Sequence, residues 1–140
     1  MILDQKRVDP ELLGSLTLAF MGDAIIETYV REAVIAASKA KIHRLHEQTI
    51  SYVSAKAQSA FLHELTAAGF LTDQEQDIVR KGRNVKPHTV PKNTDVQTYN
   101  FSTGFEALIG YLHFAGRKKR IDEIMKRMFA LHPAEGRRNQ

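Results

Sequence analysis

Two stretches of this 140-residue chain, Leu16 to Ala37 and Phe101 to Ala115, are apolar round almost their whole helical circumference. Such a helix is stable in water only when neighbours cover most of its sides, so the shorter amphipathic segments must pack around these two. The longer, taken as the central helix, is broken by Asp23, Glu27 and Arg31, and the shorter by Glu106. Neither reaches the ~20 uninterrupted apolar residues of a membrane span.

The remaining segments carry ordinary helix signals. Asp9-Pro10-Glu11 opens a short turn that ends near Gly14, since Asp caps free backbone donors and proline at the first helical position wastes none. Ile42, Leu45, Thr49, Ile50 and Val53 mark an amphipathic helix; Ser54 caps another that runs to Ala68 and stops at Gly69. Thr72-Asp73-Gln74-Glu75 has capping-box spacing and starts a helix that should fade at Gly82. Gly82 to Tyr99, with Pro87 and Pro91 and no periodicity, reads as one long loop. Loops beyond about 12 to 15 residues in a compact domain tend to be functional. After Gly116, Ile121, Ile124, Met125 and Met128 line a last helix closed by Pro133. With no alternating strand pattern, the expected fold is all-α, about seven helices, forming one domain over residues 1–133 with a polar tail over 134–140.

Composition narrows the chemistry. The chain has no cysteine, which removes thiol catalysis, zinc–thiolate sites and disulfide scaffolds. Its start, Met1 to Lys6, lacks the basic-then-apolar layout of a secretory signal, and a cytoplasmic protein is expected. Twenty Lys and Arg against sixteen Asp and Glu give a net charge of +4, which permits a polyanionic partner without demanding one.

The acids are the most informative residues. Asp23, in Phe20-Met21-Gly22-Asp23-Ala24-Ile25-Ile26, shares a face with residues that pack inward, and Glu106 stands in Gly104-Phe105-Glu106-Ala107-Leu108-Ile109-Gly110. A buried, unpaired carboxylate costs several kcal/mol, so each needs a cation, strong donors or a raised pKa. Gly22, Ala24, Ala107 and Gly110 are small enough for the two helices to approach closely and bring the acids together. Magnesium suits such a pair, because it takes hard oxygen ligands and keeps waters for the rest. The alternative is purely structural, with both acids paired to buried Arg, Lys or backbone donors. Glu27 could extend the ligand set or bridge to Arg31 four residues on.

Five cations, Arg80, Lys81, Arg83, Lys86 and Lys92, fall where no acid intervenes, and a basic loop there could follow RNA phosphates, since A-form RNA is read through its backbone and 2′-hydroxyls. A solvated loop that happens to be basic is the plain alternative. Ser54 with Lys56 offers a second phosphate seat at a helix N-terminus, and His88 could touch phosphate. Arg117-Lys118-Lys119-Arg120 is a further basic group at a helix start, where an anionic partner or simple solvation would account for it. His43 and His46 share a helix face but lack a third ligand.

Phe20-Met21-Gly22-Asp23-Ala24-Ile25-Ile26-Glu27 resembles the signature helix of the ribonuclease III family, and Phe105-Glu106-Ala107-Leu108-Ile109-Gly110 resembles its second catalytic motif. Gly82-Arg83-Asn84 and the stretch Pro91 to Tyr99 are similar to the short bacterial Mini-ribonuclease III branch, which lacks the double-stranded-RNA-binding domain of larger members. The resemblance implies a homodimeric, magnesium-dependent endoribonuclease that cuts double-stranded RNA to 5′-phosphate and 3′-hydroxyl ends, and for this branch maturation of the large-subunit (23S) ribosomal RNA precursor. It also implies that Asp23 and Glu106 are the catalytic metal ligands and that the signature helix lies at the dimer interface. The wider family has a glutamate four residues before that aspartate and an aspartate three before that glutamate; Ala19 and Thr103 stand there instead. Fewer direct protein ligands and more coordinated water are therefore expected, with Thr103, Glu27 and Asp95 as possible supporting residues. A helical RNA-binding or ribosome-assembly module without hydrolysis is the competing reading.

Overall fold

The computed structural model describes residues 8–86 and 89–134. These form a 3-10 turn at Pro10–Leu12 and six α-helices, α1 (Ser15–Ala37), α2 (Ile42–Val53), α3 (Ala55–Ala67), α4 (Asp73–Arg83), α5 (Val96–Phe114) and α6 (Lys118–Leu131), with no strand among the described residues. The expected all-α class holds.

The sequence places most helix ends. Asp9 accepts from the Glu11 N–H, Ser54 from that of Ala57 and Thr72 from that of Glu75, whose carboxylate in turn accepts from the Thr72 N–H as a capping box. Past α3 and α5 the chain turns through Gly69 and Gly116 at φ of 64° and 74°, where any side chain would be strained.

The centre of the bundle is α5 rather than α1. It packs against α1, α3, α4 and α6, and from Ser102 to Leu112 every residue except Glu106 is buried. On α1 one stripe is buried, Leu18, Gly22, Ile26, Val30 and Val34 with Ala19 beside it, while Leu16, Phe20 and Ile35 face outward. The expectation that α1 is covered on most sides therefore fails for this chain alone. Around α5 the core is built from α1, α3 and α6, with Phe61 of α3 set edge-on to Phe105 at 5.6 Å.

The long loop is shorter than expected. Asp95 accepts from the Thr98 N–H at 2.8 Å and caps α5, starting that helix before Phe101, while α4 runs on through Gly82 to Arg83. Gly82 does not stop α4. A Cβ on it would lie 2.9 Å from the Gly104 Cα, so the glycine sets a close crossing of α4 over α5.

The basic group after Gly116 is partly internal. Arg120 donates to both Glu75 carboxylate oxygens at 2.8 Å and to the Phe70 carbonyl at 2.7 Å, with its guanidinium stacked on the Phe70 ring. Burial would raise the Glu75 carboxyl, but the Arg120 and Thr72 hydrogen bonds outweigh it and hold the group below its ordinary range. Lys118 reaches Tyr29 of α1 and, one turn along α6, Asp122. Ala134, read as the start of a polar tail, is buried; the rest of that tail and His88 lie outside the described residues.

Candidate active site

The site sits where α1 and α5 come closest. A Cβ on Gly22 would lie 1.8 Å from the Glu106 carbonyl oxygen, and one on Gly110 would lie 1.9 Å from that of Leu18. The two backbones touch because neither glycine has a side chain. Ala107 is fully buried along the same seam, whereas Ala24 is exposed and takes no part in it.

This contact sets Asp23 and Glu106 side by side at the seam's edge. Asp23 is exposed rather than buried, because one helical step carries it from the inward-facing Gly22 to the rim. Glu106 is the half-buried partner. Desolvation first, then a side-chain hydrogen bond with Asp23 and that residue's charge, push its carboxyl up to about 9, opposed by a hydrogen bond from Gln58. At neutral pH, with no cation between them, the pair holds a proton at Glu106, as closely set carboxylates do. Either a proton or a positive ion must separate the two acids.

A cavity of about 440 Å³ opens beside them, and its lining includes Ala19, Phe20, Gln58, Pro91, Tyr99 and Thr103. The two positions that lack the family's carboxylates thus face the same space as Asp23 and Glu106. The Thr103 hydroxyl donates to the Tyr99 carbonyl at 3.1 Å. Among the described residues no group of three or more His, Cys, Asp and Glu could hold a metal, which leaves His43 and His46 without a site. Two carboxylates beside a water-accessible cavity fit magnesium, which binds through one or two acids and keeps several waters.

The other expected site residues divide. Glu27 bridges to Arg31 at 2.8 Å and Asp95 caps α5; neither lines the cavity. Ser54 caps α3 beside the lining residues Val53 and Ala55, and Lys56 is exposed next to them. The basic run is not one loop. Arg80, Lys81 and Arg83 belong to the last turn of α4, where positive charge suits the helix dipole, and only Lys86 and Lys92 lie beyond it. Arg80 is hydrogen-bonded to Asp77, with Lys81 3.4 Å from the same carboxylate, and the Arg83 guanidinium sits 5.1 Å over the Phe101 ring.

Gln58 and Tyr99 escaped the sequence reading. Gln58 carried a signal, a polar residue on the α3 face that repeats as Phe61, Leu62 and Leu65; Tyr99 carried none, since it lay in what read as loop.

Comparison with known proteins places the chain in a family. Residues 16–117 match the ribonuclease III domain. The chain is 48% identical to the Mini-ribonuclease 3 of Symbiobacterium thermophilum over 86% of its own length and 92% of the relative's. It is 43% identical to that of Staphylococcus aureus over 86% and 90%. A crystal structure of a Fusobacterium nucleatum protein superposes with a TM-score of 0.77 at 27% identity, over 87% of this chain and 96% of that one. With the acidic pair, the shared fold and these matches together, the chain belongs to the ribonuclease III family, in its Mini-ribonuclease 3 branch.

Proposed function

We propose that the protein is a magnesium-dependent endoribonuclease that cuts double-stranded RNA as a homodimer, in the cytoplasm, on the precursor of large-subunit (23S) ribosomal RNA. The observation that carries this reading is the Asp23–Glu106 pair, two acids held together by helix contact beside an open cavity, an arrangement that needs a positive ion to be fully ionised. Asp23 and Glu106 bind and orient that ion. Bound there, magnesium supplies the positive charge that steadies a phosphodiester while water displaces its 3′ oxygen in line. Arg80, Lys81 and Arg83 at the end of α4, Lys86 and Lys92 beyond it, and Ser54 and Lys56 at the start of α3 seat the flanking phosphates.

The dimer is supported by an apolar patch. Leu12 and Phe20 are each 83% exposed and Leu16 is 42% exposed; Leu16 and Phe20 also line the cavity. A second copy covering this patch would wall the active site, and its twofold symmetry would supply one site for each strand.

Incubating the protein with a structured duplex, with and without magnesium and beside Asp23→Asn, tests the reading. Metal-dependent cleavage that the variant loses supports it. Duplex binding without cleavage selects the non-catalytic RNA-binding module, which the missing acids at Ala19 and Thr103 would favour.

A further inference from the structure

Gln58 occupies a core position on α3 yet is only 1% exposed as a polar residue. Its Nε2 donates to the Val53 carbonyl at 3.1 Å, which ties the amide to the end of α2. The amide lines the same cavity as Glu106, where it acts on that carboxyl against the burial and the Asp23 charge that push it up. Its Oε1 is buried with no partner. Turning the amide over would only set that oxygen against the Val53 carbonyl, so the orientation is fixed. An unpaired buried acceptor is a standing cost that Met or Leu would avoid at similar volume, so its presence here calls for an explanation.

The cavity supplies the reason. Ala19 brings no oxygen to it, and the Thr103 hydroxyl proton is already given to Tyr99. Gln58 is left as the polar side chain of α3 that reaches the acidic pair.

We propose that Gln58 is a positioning residue of the cation site: anchored on Val53, it turns the Glu106 carboxylate toward Asp23, so that two acids hold a hydrated divalent cation without carboxylates at positions 19 and 103. The inference rests on the cation site of the nuclease reading. Residues of this kind set metal affinity through the ligand they orient.

The test is Gln58→Met, with Gln58→Leu as a second variant, each checked for folding by thermal melting. Calorimetric titration of manganese into the RNA-free protein should show affinity about 10- to 100-fold weaker than wild type, with no loss of melting temperature. In cleavage assays the magnesium concentration for half-maximal rate should rise by a similar factor, while KM for duplex RNA at saturating magnesium stays the same. Unchanged manganese affinity in a folded variant overturns the proposal. Two variants that both fail to fold would make Gln58 a core residue and overturn it as well. Wild-type protein that neither binds manganese nor cleaves duplex RNA would sink the nuclease reading itself, and this inference with it.

Discussion

Gly22→Ala should damage both stability and activity, against what helix propensity predicts. Gly22 lies inside α1, where replacing glycine by alanine is worth about 1 kcal/mol of stabilisation. The added Cβ, however, would sit 1.8 Å from the Glu106 carbonyl oxygen and 2.7 Å from its carbon. Cβ contacts under 3.0 Å essentially never occur, so α1 and α5 must part by about 1.2 Å. The obstacle is backbone and cannot rotate away, which places the cost at the upper end of the about 1–3 kcal/mol range for overpacking. The net loss is about 2 kcal/mol. For a chain of this length about 3 °C of melting temperature corresponds to each kcal/mol, and Gly22→Ala should melt about 6 °C below wild type. Because Glu106 moves with its backbone, the acidic pair separates too, and a displacement near 1 Å costs about 100-fold in rate. Gly110→Ala meets the Leu18 carbonyl at 1.9 Å and should behave alike. Ala24→Gly, at an exposed site two residues along α1, calibrates propensity at about 1 kcal/mol. Calorimetric melting of the three variants, with single-turnover cleavage at saturating magnesium, decides the matter. A Gly22→Ala protein that melts at or above wild type would refute the backbone-contact argument.

The Glu106 carboxyl, pushed up to about 9 first by burial and then by Asp23, makes the magnesium-free protein lose stability as pH rises. The unfolded chain ionises near the ordinary value of 4.5 and the folded one only near 9, so between these values the folded state binds the extra proton. Glu106→Gln should therefore melt above wild type at pH 8 and with it near pH 5, and parallel melting curves across that range would refute the shift. Arg83→Ala should lower duplex affinity and reduce the slope of log affinity against log salt by about 1, read in a salt titration; an unchanged slope would remove Arg83 from the contact surface. Phe20→Asp, at a side chain 83% exposed, should leave the fold intact and convert dimer to monomer in sedimentation equilibrium, whereas a dimer that persists would place the interface elsewhere.

The sequence was readable wherever one residue's chemistry decides the structure by itself. Ser54, Thr72 and Asp95 each satisfy free backbone donors at a helix start, and Gly69 and Gly116 take the positive φ that follows a helix. The identity of such a residue is its signal, and it survives without knowledge of the neighbours. Two of these signals still pulled in unexpected directions. Asp95 was weighed as a possible site residue, and its capping of α5 shortens the loop it was expected to belong to. Gly82 looked like a stop, yet inside α4 the same lack of a side chain serves approach to Gly104. A glycine leaves open which of its two uses applies until the partner helix is known.

Burial was harder to read, and the acidic pair shows why. Asp23 and Glu106 both stand among apolar residues in sequence, so both looked buried. In the fold Asp23 lies exposed on the rim, while Glu106 is half-buried and desolvation pushes its carboxyl up. Neither helix alone determines this division; it follows from the Gly22–Gly110 contact, which fixes the rotation of α1 against α5. The same contact bears on how two acids alone would serve a hard cation. Rigid backbone contact holds the carboxyl groups together in advance, so an entering cation would take the place of the proton on Glu106, and the absence of carboxylates at Ala19 and Thr103 would leave room for the waters that such an ion keeps.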